Sequence, residues 1–208
     1  MNNRERRFKK LGLVGSSQIE KYPLELLEDQ SLEPIMLSSS PKNARDLINS
    51  GKLEQIIDEI IEHHHDMDAV FIFIGGNDVR KHCKVTEIAS NIKDIAEKFN
   101  SIGVEAIIMP LINRNKPSGI EVPQYTKIRN SINRWLRKFY RNNRKRYTVL
   151  NIDNLDLRRD GVHLTRYSYR RISRAIKNQM DALTNSNLRT PGVHRFDESE
   201  YMVEYYYQ

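Results

Sequence analysis

Five short apolar segments, separated by longer segments with helical periodicity, constrain the fold of this chain more than any other feature. The apolar segments cover residues 11–14, 34–37, 69–74, 104–109 and 147–152, and each has the length of a buried strand. Apolar residues recur every three or four positions over residues 44–64, 86–99, 122–140 and 167–183, which predicts helices. We expect Pro23 to interrupt a shorter helix over residues 18–27 and Gly51 to divide the segment 44–64. This alternation predicts an α/β domain with a mainly parallel sheet of about five strands and helices on both faces.

The 208 residues suffice for one compact domain with a sizeable core, which we place at residues 11–184. Residues 1–10 form a basic lead-in that we expect to be flexible, and residues 185–208 form a polar, acidic, tyrosine-rich tail. One interpretation of the tail is a disordered or loosely docked segment. The other is that its carboxylates fold back on the basic surface or bind a partner.

Several classes of protein do not fit this composition. Cys83 is the single cysteine, so no internal disulfide can form, which is typical of a reducing compartment. No apolar run approaches the roughly 18 residues of a membrane span, and no secretory signal follows the basic N-terminus. We therefore expect a soluble, cytoplasmic protein. His63, His64 and His65 are consecutive, so on a helix they point in different directions and predict no metal site.

Three turns supply reactive side chains, and each lies beside a strand end or a helix start. Ser17 follows the first strand, Asn77 follows the third, and Asp160 and His163 precede the last helix. In parallel sheets such groups gather beyond the carboxyl ends of the strands. A serine hydroxyl can attack a carbonyl when a histidine takes its proton and an aspartate holds the imidazole in the useful tautomer. The Asn77 amide could donate to the resulting oxyanion.

Each turn also has a plainer interpretation. Ser17 is compatible with a turn serine or a helix N-cap. Asp160 and His163 are compatible with a surface turn that has a capping aspartate. Asn77 and Asp78 tolerate the backbone of a tight turn and need no chemical role.

The order of these turns along the chain resembles that of the SGNH (GDSL) hydrolases over roughly residues 10–180. The matching segments are Gly15-Ser16-Ser17, Gly75-Gly76-Asn77-Asp78 and Asp160-Gly161-Val162-His163. The resemblance implies a flavodoxin-like three-layer α/β/α sandwich that hydrolyses an ester or acyl substrate without a metal or organic cofactor. It also implies roles: Ser17 is the nucleophile, His163 the base and Asp160 its partner. Asn77 and Ser17 then form the oxyanion hole, and the remaining residues, Gly15, Gly75 and Asp78, shape the site.

Two positions depart from the family pattern. Ser16 stands where the family has an aspartate that supports the turn. The family also has a separate glycine whose N–H helps to form the oxyanion hole, but residues 39–43 read Ser-Ser-Pro-Lys-Asn. Pro41 falls at or next to that position and has no N–H to donate. The loss of one such donor costs about a hundred- to a thousandfold in rate. The Lys42 N–H is a candidate replacement.

The second functional signal is charge, because the chain has a formal net charge of +7 and an acid-free stretch over residues 127–146. Such a stretch is either a solvated helix face or a surface that binds phosphates, most plausibly those of RNA. The predicted RNA-binding residues are Arg134, Arg137, Lys138, Arg141, Arg144, Lys145, Arg146 and Arg170.

Two members of the fold family combine these signals. The strand-Gly-Gly-Asn-Asp and Asp-Gly-Val-His-Leu-Thr segments are similar to the esterase-like domain of some LINE retrotransposon proteins. The other is the C-terminal domain of the insect germ-plasm protein Oskar, an SGNH-like fold that binds RNA and has lost its catalytic residues, whereas this sequence keeps Ser17, Asp160 and His163. The sequence thus predicts a serine esterase, with a catalytically inactive RNA-binding domain as the alternative. A scaffold or dimerisation module is a third possibility, and the oligomeric state stays open.

Overall fold

The computed structural model describes residues 9–28, 32–37, 41–141 and 147–186. The strands are β1 Lys9–Gly15, β2 Leu32–Met36, β3 Ala69–Phe73, β4 Glu105–Ile108 and β5 Tyr147–Val149. The helices are α1 Ser17–Glu20, α2 Ala44–Asn49, α3 Lys52–His63, α4 Val85–Ser101, α5 Val122–Arg141 and α6 Arg166–Ser186. A 3₁₀ turn covers Leu24–Leu26. No helix within the described ranges is long and apolar enough to cross a membrane.

The five strands form one parallel sheet in the order β2-β1-β3-β4-β5. Gly15 of β1 pairs with Phe73 of β3, so the carboxyl ends of these two neighbouring strands are level. The strand order reverses between β1 and β3, and ligands of such sheets bind at that switch point. The predicted parallel, flavodoxin-like sheet is confirmed, and its topology brings the turns after β1 and β3 together.

Helices cover both faces of the sheet because successive strand residues point to opposite sides. In β3, Val70 and Ile72 pack in the core that α2, α3, α4 and α5 share. Phe71 and Phe73 pack instead with Ile19 of α1 and with the apolar residues of α6. This is the predicted three-layer α/β/α sandwich.

Glycine and proline set the helix boundaries near the site. Gly51 has a φ of +73°, a conformation that glycine adopts without strain, and it separates α2 from α3 as predicted. The helix predicted over residues 18–27 is shorter: α1 ends at Glu20, and Pro23 precedes the 3₁₀ turn. Strand β5 ends at Val149 rather than at residue 152.

The described part of the domain extends slightly beyond its predicted limits. β1 begins at Lys9 rather than at Leu11, because the Lys10 N–H donates to Asp68 at 2.9 Å and the Lys10 ammonium lies 2.9 Å from Asp66. Helix α6 continues to Ser186. Most of the predicted lead-in, residues 1–8, and of the tail, residues 187–208, lies outside the described residues.

Candidate active site

Ser17 is held at the carboxyl end of β1 by a turn that requires glycine. A Cβ on Gly15 would lie 2.3 Å from the carbonyl oxygen of Phe73, so only glycine allows β1 and β3 to approach this closely. The Ser16 N–H donates to the same oxygen at 3.3 Å. Ser17 then begins α1, and a first helical residue has a backbone N–H without an acceptor in its own helix. The turn therefore presents a hydroxyl and an N–H together.

The predicted serine, histidine and aspartate form a continuous set of hydrogen bonds. Ser17 Oγ lies 3.2 Å from His163 Nε2, and His163 Nδ1 lies 2.8 Å from Asp160 Oδ2. The second carboxylate oxygen, Asp160 Oδ1, accepts the backbone N–H groups of Val162 and His163, each at 2.9 Å. Gly161 allows this tight loop, since its φ is +70°. The structure thus brings all three predicted residues together, although Ser17 and His163 are far apart in sequence.

The electrostatics of the loop favour an ionised aspartate. The backbone N–H of His163, that of Val162 and the imidazole all hydrogen-bond the carboxylate, and together they hold the pKa of Asp160 well below its usual range. An ionised Asp160 accepts a hydrogen bond from the Nδ1–H of His163, so Nε2 carries the lone pair and faces the Ser17 hydroxyl. This arrangement can accept a proton from the serine hydroxyl.

Gln18 connects the serine turn to the histidine loop, and the sequence patterns did not single it out. Its side chain is 2% exposed. Nε2 donates to the Val162 carbonyl at 2.7 Å, and Oε1 accepts from the Leu164 N–H at 3.4 Å and from the Tyr169 hydroxyl at 3.0 Å. The residue beside Ser17 therefore fixes both neighbours of His163. The only hint in the sequence was that Gln18 is a polar residue directly after the predicted nucleophile.

Asn77 and Asp78 follow β3 and attach the start of α2 to the site. Asn77 Nδ2 donates to the carbonyl of Lys42 at 2.7 Å. The Asp78 carboxylate accepts the N–H groups of Ala44 at 2.9 Å and of Arg45 at 3.4 Å. Burial raises the pKa of Asp78, and these two hydrogen bonds oppose that rise. Gly75 has a φ of +100°, which allows the chain to turn between the strand and these side chains.

Arg114 is a site residue that the sequence did not predict, because it lies in a segment that reads as a plain loop. Its side chain is buried, and Nη2 donates to Asn77 Oδ1 at 2.8 Å. The neighbouring residue Asn115 donates its N–H to the Gly161 carbonyl at 2.8 Å. The loop after β4 therefore contacts both the asparagine and the histidine loop.

Comparisons with known proteins identify the architecture. No family model matches the sequence, and no curated protein matches it. A protein from Slackia heliotrinireducens described as an SGNH hydrolase superposes with a TM-score of 0.64 at 13% identity, over 84% of this chain and 100% of its own. A GDSL-like lipase from Bacteroides thetaiotaomicron gives 0.59 at 13% identity, over 84% and 88%. The psychrotrophic esterase EstA from Pseudoalteromonas gives 0.57 at 16% identity, over 85% and 99%.

The fold is that of the SGNH hydrolases. The resemblance stated from the sequence is confirmed at this level. Similarity to the LINE and Oskar domains in particular stays a prediction.

The resemblance to the SGNH hydrolases predicts a further oxyanion donor in the loop before α2, which in this chain contains Pro41 and Lys42. Pro41 is buried and has no N–H. The Lys42 N–H, which we considered as a replacement, donates instead to Asp46 Oδ2 at 2.9 Å, so this expectation is wrong. Asp46 is in turn fixed by its own N–H bond to Asn43 Oδ1 at 2.8 Å. Of the oxyanion donors that the resemblance implies, the Asn77 amide and the Ser17 N–H lie among the described residues, and their role stays a prediction.

Lys21 is a second charged group that the sequence did not indicate. Its Nζ lies 3.3 Å from Nδ1 and 3.2 Å from Nε2 of His163. The residue itself is exposed and directly follows α1. The ammonium thus borders the imidazole of His163 from the solvent.

Four of the predicted RNA-binding residues lie together on α5. A cavity of about 530 Å³ beside this helix is lined by Arg129, Asn130, Asn133, Arg134, Arg137, Lys138, Arg141 and Asp153. We call it the α5 groove. Arg170 is not part of it, because α6 packs on the opposite face of the sheet. Arg144, Lys145 and Arg146 lie outside the described residues.

Two further observations concern possible metal ligands and the single cysteine. Within the described ranges, no group of three or more His, Cys, Asp or Glu side chains could hold a metal ion. Cys83 is a free thiol, and its burial raises its pKa. Neither feature adds a reactive group to the site around Ser17.

Proposed function

We propose that this protein is a serine hydrolase of the esterase type. The observation behind the proposal is the 3.2 Å separation of Ser17 Oγ and His163 Nε2, with Asp160 bound to the other ring nitrogen at 2.8 Å. Structures named as esterases and lipases share the fold, which supports the same reaction class.

In the proposed acylation step, Ser17 Oγ attacks the ester carbonyl carbon while His163 Nε2 accepts the hydroxyl proton. The tetrahedral oxyanion lies toward the Ser17 N–H and the Asn77 amide. Collapse of this intermediate breaks the bond to the alcohol oxygen, and His163 returns its proton to the departing alcohol. The products of this step are an acyl ester of Ser17 and the free alcohol.

Deacylation uses the same groups in reverse. A water molecule attacks the acyl carbon, His163 takes one of its protons, and the proton then passes to Ser17 as the acid leaves. Asp160 stabilises the imidazolium in both steps. With one donor fewer than the family pattern, we expect a rate about a hundred- to a thousandfold below that of a site with all its oxyanion donors.

The test uses the full chain and p-nitrophenyl acetate, whose leaving group is activated and therefore suits a slow enzyme. Wild type should release p-nitrophenol above the uncatalysed rate, and Ser17→Ala and His163→Ala should each reduce release to that background. A fluorophosphonate probe should label Ser17 once per chain, as read by peptide mass. Activity that survives in Ser17→Ala, or wild type without hydrolysis and without labelling, would contradict the proposal.

The α5 groove favours a second function, the binding of single-stranded RNA. Of the described residues, five cations line it, namely Arg129, Arg134, Arg137, Lys138 and Arg141, together with one acid, Asp153. Asp153 lies 3.6 Å from Arg137 and neutralises one charge at most. Cations this close together suit successive phosphates of a nucleic acid chain.

RNA binding is tested by fluorescence anisotropy with a labelled single-stranded RNA at several salt concentrations. The logarithm of the association constant should fall linearly with the logarithm of the salt concentration. The double variant Arg137→Ala/Arg141→Ala should bind RNA more weakly, and the magnitude of this slope should be smaller by about 2. The matched control is Arg45→Ala/Lys98→Ala, which removes the same charge from α2 and α4. Equal weakening in both variants would reject the groove as the site.

A further inference from the structure

Arg114 is a buried cation that has no acidic partner among the described residues. It is 8% exposed, and its Nε is buried without a hydrogen-bond partner. Among the residues that the structure describes, its side chain makes one hydrogen bond, from Nη2 to Asn77 Oδ1 at 2.8 Å. The guanidinium carbon lies 5.9 Å from the ring centre of Tyr125. Burial of a charge without a counter-charge is unfavourable, so its placement beside a site residue calls for a functional explanation.

The surroundings of Arg114 hold the guanidinium against Asn77. A Cβ on Gly76 would lie 2.8 Å from Arg114 Nη2, so glycine leaves the space that the guanidinium occupies. The loop that carries Arg114 is fixed from α5 at two points. Asn133 exchanges hydrogen bonds with the N–H and carbonyl of Leu111, both at 2.8 Å, and the Tyr125 hydroxyl donates to the Ile112 carbonyl at 3.2 Å.

The contact determines what the Asn77 side chain can donate. Because Arg114 is a donor only, it binds the amide oxygen and thereby sets which way the amide is turned. Nδ2 must then point away from Arg114, and one of its two hydrogens goes to the Lys42 carbonyl. The second hydrogen is left for a substrate oxyanion. A charged donor on Oδ1 also polarises the amide, which strengthens the N–H as a donor.

We propose that Arg114 is a positioning residue that orients and polarises the Asn77 amide, and so partly offsets the oxyanion donor that Pro41 does not supply. The inference rests on the proposed esterase function. Arg114 acts through Asn77 and does not touch the substrate.

A double-mutant cycle separates this role from a structural one. Arg114→Gln should lower kcat for p-nitrophenyl acetate about tenfold with little change in KM, less than the roughly hundredfold or greater loss expected for Asn77→Ala. In the Asn77→Ala background the same change should alter kcat by less than about twofold, because the group through which Arg114 acts is gone. Arg114→Lys, which keeps a charged donor, should lie between wild type and Arg114→Gln, and it serves as the second variant if Gln impairs folding. Equal factors in both backgrounds would overturn the proposal.

Nuclear magnetic resonance of the Asn77 side-chain amide gives a readout that needs no turnover. In ¹⁵N-labelled Arg114→Gln, the two Nδ2 hydrogens should move toward the shifts of exposed asparagine amides and exchange faster with water. Tyr125→Phe is the control for loosening of the loop alone and should leave these signals nearly unchanged. Unchanged signals in Arg114→Gln reject the positioning role even if esters are hydrolysed. A wild type that neither hydrolyses ester nor reacts with fluorophosphonate rejects the proposed function, whatever the amide signals show.

Discussion

On one side of the site, Ser17, His163 and Asp160 are joined by direct hydrogen bonds, and Gln18 holds the two loops together. On the other side, the Asn77 amide donates to the carbonyl of Lys42 and accepts from the buried Arg114. The loop that contains Lys42 has Pro41 where the family pattern has a glycine N–H. The first side is built from particular side chains of the family pattern, and this chain has all three of them. The second needs backbone N–H groups, and a single proline removes one of them. In the proposed mechanism, the side chains for proton transfer are therefore all present, whereas the oxyanion donors are one fewer than in the family pattern.

The largest expected effect lies on the proton-transfer side. His163→Ala should reduce kcat for p-nitrophenyl acetate by about 10⁴-fold or to the uncatalysed background, since a serine without its base is a weak nucleophile. Asn77→Ala should cost less, about a hundred- to a thousandfold. Steady-state kinetics on both variants, with melting curves to confirm folding, measure the contrast. Equal losses would show that the two sides do not differ as described.

A second, smaller effect should follow from loss of the Gln18 hydrogen bonds, which join the serine turn to the histidine loop. Gln18→Leu should lower kcat by about ten- to a hundredfold, because a small displacement of His163 from Ser17 weakens proton transfer. It should also reduce the free energy of unfolding by about 1–3 kcal/mol, since it leaves buried partners unpaired. Gln179→Leu is the control of the same type: it removes a 2.8 Å bond to Thr148 away from the site. If Gln179→Leu lowers kcat as much as Gln18→Leu does, the Gln18 hydrogen bonds have no specific role in positioning His163.

A gain of activity should follow if the oxyanion side is repaired. Pro41→Gly restores a backbone N–H at the position where the family pattern has one, and we expect kcat to rise about tenfold. The same change should cost up to about 1 kcal/mol of stability through added freedom of the unfolded chain. Kinetics and urea unfolding on the one variant measure both. A fall in kcat with unchanged stability would indicate that Pro41 itself shapes the site.

The smallest expected effect is a pH dependence of stability on the proton-transfer side. The folded pKa of Asp160 lies below its unfolded value of about 3.9, so its contribution is present above that value and is lost as pH falls through the folded pKa. The stability difference between wild type and Asp160→Asn should therefore be larger at pH 7 than at pH 3. Urea unfolding at the two pH values measures it. A difference that is equal at both values would mean that the carboxylate is not stabilised by its neighbours.

The sequence pointed to Ser17, Asp160 and His163, which the structure brings within hydrogen-bond distance, because each follows a strand end or precedes a helix. The resemblance also named Gly15 as a residue that shapes the site, and the turn at Gly15 packs against Phe73 of β3. The mainly parallel sheet followed from the alternation of strands and helices, whereas its flavodoxin-like arrangement was implied by the family resemblance. These features are determined within short segments of the chain, and hydrophobic periodicity and turn residues predict local structure of that kind.

The oxyanion side was predicted less well, because its contacts join distant segments. Arg114 looks like one of several cations in a polar loop, and only packing shows that it is buried against Gly76 and Asn77. The Lys42 N–H was expected to be free, but Asp46 accepts it through a local hydrogen bond that the loop sequence alone does not specify. The predicted RNA-binding set was divided in the same way, since Arg170 belongs to a helix on the other face.

The separation of Ser17 from His163 by 146 residues has a consequence for the protein during its synthesis. At roughly 5–20 residues per second, a ribosome needs about 7–30 seconds to make the chain between them. Throughout that interval the nascent chain has the serine without the base. In the proposed mechanism, reactivity toward esters therefore requires synthesis to pass the loop that carries His163, and a chain that ends before this loop should not hydrolyse esters.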